Sequence, residues 1–272
     1  MAQGLFDYLH QYEAPLARSE ELERVHEPAY VHNMLRQKPD SGLIRIDPDT
    51  SIGPGTIRAA LRAAGAGVLA TDLTLGGEVK TAFCNVRPPG HHAERARAMG
   101  FCFFNNVAVA AAHALEHWGL RRVAIVDFDV HFGNGTEDIF RDDERVMICS
   151  TFEGDIFPMV EHASTERLVN VPLMAGTRGF EFRDAVNVFW QPRLEKFKPE
   201  MIFISAGFDA HREDDLANLH LNEQDFVWVT ELLLGIADRH AKGRVVSMLE
   251  GGYALSALGR SVTAHVRSLM RL

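Results

Sequence analysis

Short runs of apolar and β-branched residues recur along this 272-residue chain, at AFCNV (82–86), RVAIVDF (122–128), VMICS (146–150), MIFISAG (201–207) and VVSMLEGG (245–252). Each is continuous rather than alternating, and each runs into Gly, Pro, Asp or His, the pattern of a strand covered on both faces. Between them the apolar positions take helical spacing or become Ala-rich, in TIRAALRAAGAG, NNVAVAAAHALEHWG, FRDAVNVFWQPRLEKF, EQDFVWVTELLLGIADRHA and LSALGRSVTAHVRSLMRL. This alternation predicts an α/β fold: an open, mostly parallel, doubly wound sheet flanked by helices, with the ligand site outside the carboxyl ends of the strands. The stretch from Phe152 to Arg167 has no period and reads as a functional loop. With no linker, repeat or biased segment in view, a single domain over residues 1–272 is expected.

Composition narrows the partners. The 28 Lys and Arg against 37 Asp and Glu give a net charge of -9, which repels a phosphate backbone in the absence of a basic patch, so no direct nucleic-acid binding is expected. Neither a basic leader nor a run of about 18 apolar residues is present, so neither export nor membrane insertion is expected. Cys84, Cys102 and Cys149 form no C-x-x-C and sit in apolar runs, which reads as buried free thiols in a reducing, cytoplasmic compartment.

Four predicted strands end in chemistry: RPPGHH (87–92), DFDVHFGNG (127–135), SAGFDAH (205–211) and LEGGY (249–253). If the strand continues through DFDVH, then Asp127, Asp129 and His131 share one face, because side chains alternate along a strand. Two carboxylates with one imidazole suit zinc, and three protein ligands leave positions for water and substrate; the same set accommodates Fe(II). Taken singly, D-x-D-x-H is also a capped loop, a His pair on a Gly/Pro turn is commonly solvated, and GFCFFNN also reads as the start of a core helix. Their joint appearance at strand ends favours a site.

Together RPPGHHAE, GFCFFNNVAVAA, VDFDVHFGNGTED, ISAGFDAH and LEGGY resemble the histone deacetylase family, nearer its class II-like and bacterial amidohydrolase branch, from about residue 25 to the C-terminus. The resemblance implies an arginase/deacetylase-like fold and one zinc ion per chain on Asp129, His131 and Asp209. It implies that His91 and His92 move protons between water and the departing amine, that Asp127 and Asn134 fix their tautomers, and that Tyr253 donates to the developing oxyanion. Gly100, Phe101 and Phe157 correspond to the walls of a tunnel for an acylated lysine, and Asp49 to a rim position that binds the substrate backbone. Simple core packing is the alternative for those walls. A structural potassium ion is implied beside the zinc, on main-chain oxygens around Asp127, Asp129 and His131 with Ser150 and Thr151.

Three departures bear on substrate. The H-P-E-x-P-x-R segment with which the family opens is not in this sequence, so an open rim is expected, or one completed by a partner; a homo-oligomer stays open. Phe132 replaces a second histidine that is not a ligand. DDLANL (214–219) places Leu216 where polyamine deacetylases of the family carry a gatekeeping glutamate, which favours an acyl-lysine in a peptide or protein, with an acetylpolyamine or another small N-acetyl amine as the alternative. An arginase-type hydrolase would need two bridged metals and more Asp and His ligands, and a non-catalytic acyl-lysine binder would not need Tyr253.

Overall fold

All five apolar runs become strands of one sheet in a computed structural model that describes residues 4–272. Ahead of the sheet lie α1 (Ser19–Leu22), α2 (Pro28–Arg36), a two-residue hairpin of β1 (Ile44–Arg45) and β2 (Ser51–Ile52), and α3 (Thr56–Leu75). Then follow β3 (Thr81–Cys84), α4 (Asn106–Glu116), β4 (Val123–Asp127), α5 (Asn134–Phe140), β5 (Val146–Glu153) and β6 (Leu168–Leu173). The chain closes with α6 (Gly179–Ala185), a π turn (Val186–Trp190), α7 (Gln191–Phe197), β7 (Met201–Ala206), α8 (Glu223–His240), β8 (Val245–Leu249) and α9 (Leu255–Leu269).

The six strands run parallel in the order β3-β8-β7-β4-β5-β6. Every residue of β4, β5, β7 and β8 is buried. The pleat sends Val123, Ile125, Val146, Ile148 and Phe203 to a core shared with α3 and α4. It sends Ala124, Val126, Met147, Cys149 and Ile204 to a second core under α6, α8 and α9. Covering both faces explains why these strands read as unbroken apolar runs. No helix among the described residues is long and apolar enough to cross a membrane, and Cys84, Cys102 and Cys149 are free and buried.

The order places a switch point between β4 and β7. From β4 the chain turns outward to β5, whereas from β7 it turns the other way to β8, so the loops after these adjacent strands diverge and open a crevice. The sequence reading missed β6, an edge strand whose apolar run is interrupted by Asn170 and Pro172, and also α5, which is short and polar. The helix expected from Phe182 slips into the π turn just ahead of Pro192, which has no N–H to give to the preceding turn.

Candidate active site

β4 ends at Asp127, so the expected continuation of the strand through His131 is corrected. The Asp side chains themselves stop the ladder: Asp127 accepts the N–H of Asp129 at 3.0 Å, and Asp129 accepts that of His131 at 2.8 Å. Each carboxylate thus bonds the backbone two residues on, as Asp does in turns. The three side chains converge through a pair of turns rather than along a pleat.

Asp209 arrives from the loop after β7 and accepts the N–H of Val130 at 3.0 Å. Gly251, after β8, donates to Asp129 Oδ2 at 2.8 Å, and a Cβ on it would lie 2.1 Å from Asp209 Oδ2, so only glycine fits this approach. Asp129, His131 and Asp209 bring their ligand atoms within 4.8 Å of one another. His131 Nδ1 lies 3.1 Å from Asp129 Oδ1 and 3.2 Å from Asp209 Oδ2. Asp209 Oδ2 is buried with no hydrogen-bond partner among the described residues.

Electrostatics says what this cluster needs. Burial would strip the proton from His131, but Asp129 and Asp209 outweigh it and push the imidazole up to about 11. Burial and the charge of Asp129 push Asp209 up to about 6. Two buried carboxylates around one imidazole therefore call for positive charge between them. The orphaned Asp209 oxygen and the mixed N/O donor set fit a divalent cation.

His91 and His92 sit at the carboxyl end of β3 with ring centroids 4.0 Å apart. His91 Nδ1 faces Asp127 Oδ2 at 2.9 Å, and His92 Nδ1 faces Asn134 Oδ1 at 2.8 Å. The Asn134 amide nitrogen donates to the Glu94 carboxylate at 2.7 Å, which turns its oxygen toward His92. His92 Nδ1 therefore carries the proton and its Nε2 keeps the lone pair. Burial opposes charge on His91, but Asp129, Asp127 and Glu250 prevail and push it up to about 10. Burial, with His91 alongside, drives His92 well below the ordinary histidine range. The two neighbours are pushed apart, the signature of an acid/base pair.

A cavity of about 210 Å³ opens over these groups, lined also by Asp49, Gly100, Phe101, Phe157, Leu216 and Tyr253. Phe157 meets His92 edge-on at 5.0 Å, and Phe101 meets Tyr253 at 6.2 Å. Burial, then the Asp209 and Asp129 charges, raise the Tyr253 hydroxyl far above its usual range, so it keeps its proton. Gly100 has φ +56 and a Cβ there would lie 2.4 Å from the His92 ring, which excludes any other residue. Asp49 and Thr50, in the β1–β2 turn, accept the N–H groups of Gly100 and Phe101 at 3.2 and 3.0 Å. Asp49 thus reaches the rim while buttressing a wall. Ser150 and Thr151 lie in β5 beside Asp127, outside this cavity; the Ser150 hydroxyl is buried and has no partner among the described residues. Phe132 turns away to pack on Phe152 at 4.9 Å.

Buried acids that the sequence reading missed hold the site's loops. Glu250 accepts the N–H of Gly90 at 2.7 Å and of His91 at 3.2 Å, and the Ser205 hydroxyl at 3.0 Å; burial pushes it up to about 7. Glu137 accepts from Ala163 in the loop that carries Phe157 and from Asn170 in β6, and Glu153 accepts from Asn218 in the loop that carries Leu216. The only available signal was the Glu of LEGGY at a strand end. A second Asp/His cluster, Asp72, His113 and His117, is already satisfied at His113. Arg24 donates to His113 Nδ1, so Nε2 carries the proton and gives it to Asp72, leaving no lone pair on that ring for a cation.

Residues 1–269 match the family model described as a histone deacetylase domain. The chain is 38% identical over 259 residues to the histone deacetylase-like amidohydrolase of Pseudomonas aeruginosa, covering 92% of this chain and 68% of that protein. It is 36% identical to the polyamine deacetylase HDAC10 of Homo sapiens, covering 93% of this chain but only 40% of that one. Among solved structures it is similar to the HDA15 HD domain, with a TM-score of 0.92 at 33% identity, over 99% of this chain and 79% of that one.

Proposed function

The chain belongs to the histone deacetylase family and is a deacetylase-type hydrolase, and from that premise we propose that it hydrolyses the amide of N6-acetyl-lysine in a peptide or protein, releasing acetate. The observation that carries this reading is the opposite setting of His91 and His92 beside Asp129, His131 and Asp209 under one cavity. Asp129, His131 and Asp209 would hold one zinc ion, which supplies Lewis acidity toward the acyl oxygen and lowers the pKa of a water.

The chain's own groups do the rest. His92, neutral and with its Nε2 lone pair free, takes a proton from the attacking water. With charged His91 at 4.0 Å, it gives that proton up readily to the departing amine. Tyr253 donates its hydroxyl to the carbonyl oxygen as charge builds there, a contribution of about 2.7 to 4 kcal/mol in sites of this kind. Phe101 and Phe157 exclude water from the acyl-lysine stem, and Asp49 stands at the rim where a substrate backbone passes. The orphaned Ser150 hydroxyl beside Asp127, with Thr151, supports a potassium ion there. Three buried free thiols suit the cytoplasm.

An acetylpolyamine is the second reading, favoured by similarity to a protein named polyamine deacetylase. Leu216 at the mouth speaks for acyl-lysine, because it offers no carboxylate to a second cationic amine. The zinc-loaded protein should release acetate from an acetyl-lysine peptide faster than from an acetylpolyamine and should be inhibited by a hydroxamate. Zinc-loaded protein that releases no acetate and binds no hydroxamate would remove the catalytic reading.

A further inference from the structure

Tyr253 stands on the loop between β8 and α9, and Leu216 faces the same cavity from the loop between β7 and α8. One carboxylate joins the two loops. Asp214, buried at 6% exposure, accepts the N–H of Tyr253 at 2.6 Å and of Ala254 at 3.0 Å on Oδ2. Its other oxygen, Oδ1, accepts the N–H of Leu216 at 3.2 Å.

Ala254 is the N-cap of α9 and supplies no side-chain acceptor of its own, so Asp214 sits where the first N–H groups of that helix leave partial positive charge. Its two oxygens between them accept from three backbone donors. Arg260 of α9 also binds Glu213 of this loop at 2.7 Å and Glu223, the first residue of α8, at 2.6 Å, fastening the loop and the helix that follows it to α9. Asp214 touches neither the metal cluster nor the cavity.

We propose that Asp214 is a positioning residue for the deacetylation read above, setting the Tyr253 hydroxyl and the Leu216 wall in fixed relation to each other. The group that meets the carbonyl oxygen and the group that meets the substrate's stem are then placed by one side chain. A shift of either loop moves both. A displacement of about 1 Å at a reacting group can lower a rate about 100-fold, which makes such a clamp consequential without chemistry of its own.

The test is a double-mutant cycle on zinc-loaded protein with an acetyl-lysine peptide. Asp214→Ala should lower kcat about 100-fold with KM little changed, and the same substitution placed in Tyr253→Phe should cost only about threefold or less, because the hydroxyl it positions is gone. Full, additive losses in the two backgrounds would overturn the proposal. Asp214→Asn keeps one acceptor and serves where the alanine variant does not fold; it should fall between wild type and Asp214→Ala. Amide exchange supplies a readout independent of turnover. Faster exchange confined to Leu216, Tyr253 and Ala254 in Asp214→Asn is expected, and unchanged exchange overturns the clamp. Faster exchange in a protein whose wild type is inert overturns the deacetylase reading instead.

Discussion

The floor and the rim of the cavity are built on different terms. On the floor His91, His92, Asp129 and Asp209 are 2%, 4%, 1% and 1% exposed, and their carboxylates and imidazoles are oriented by backbone amides or by other buried side chains. At the rim Phe101, Leu216 and Tyr253 are 42%, 52% and 36% exposed. They are held mainly through their own backbones, by Thr50 and Asp214. The side chains of the floor are therefore fixed by their own contacts, while those of the rim stand on fixed supports. In the proposed reaction the floor and Tyr253 supply the chemistry, and Phe101 and Leu216 bear on the choice of substrate.

The strongest way to break this contrast is at a floor ligand. Asp209→Ala should leave dialysed protein with well under one zinc per chain and lower acetate release by more than the about 10- to 100-fold that follows loss of a ligand's outer partner. A variant that keeps zinc and most of its rate would show that the floor is as replaceable as the rim.

Beneath the floor, His26 bridges two main-chain groups: its Nδ1 faces the Glu94 carbonyl at 2.9 Å and its Nε2 accepts the Asn105 N–H at 2.9 Å. That pairing needs the neutral ring, and burial pushes it down to about 4. Because the folded value lies below the unfolded value near 6.5, the unfolded chain binds the extra proton. The stabilisation is complete above pH 6.5 and lost as pH falls toward 4, by roughly 3 kcal/mol in all. Urea unfolding midpoints of wild type and His26→Gln should converge as pH falls through that window; parallel curves would exclude His26 as the titrating group.

The smallest effect belongs to the rim. Leu216→Glu should leave zinc content unchanged and stability within about 0.5 kcal/mol. It should move the preference toward acetylpolyamines by about fivefold, the size of a partly exposed charge pair of about 1 kcal/mol. Loss of zinc, or a stability loss well beyond that bound, would erase the distinction between the two regions.

How much of this was legible in the sequence follows from the kind of interaction. Strands buried on both faces advertise themselves, so β4, β5, β7 and β8 could be placed from apolar runs alone, and the half-buried edge strand β3 from an unbroken run, whereas β6, interrupted by Asn170 and Pro172, could not. Side chains that do chemistry carry the chemistry in their type, so Asp129, His131, Asp209, His91, His92 and Tyr253 could be nominated before they were seen together. Glu250 and Asp214 act by accepting backbone N–H groups, which every residue but proline has. The Gly90–Glu250 bond spans 160 positions, and no local pattern marks such a partner. The turns that replaced the expected strand through His131 were hidden similarly, since an Asp at a strand end serves a pleat or a turn equally well.

The switch point has a further consequence, for folding. Val130 and Asp209 are joined across 79 positions, and their loops meet because β7 lies directly beside β4. Only the folded chain brings Asp129, His131 and Asp209 together, so a cation held by all three would bind the native state in preference to the unfolded one. Free ligand at 1,000 times its dissociation constant adds about 4.1 kcal/mol to native stability. For a domain whose whole margin is of order 5 to 15 kcal/mol, the supply of the proposed ion would then bear on how long the protein survives in the cell as well as on how fast it works.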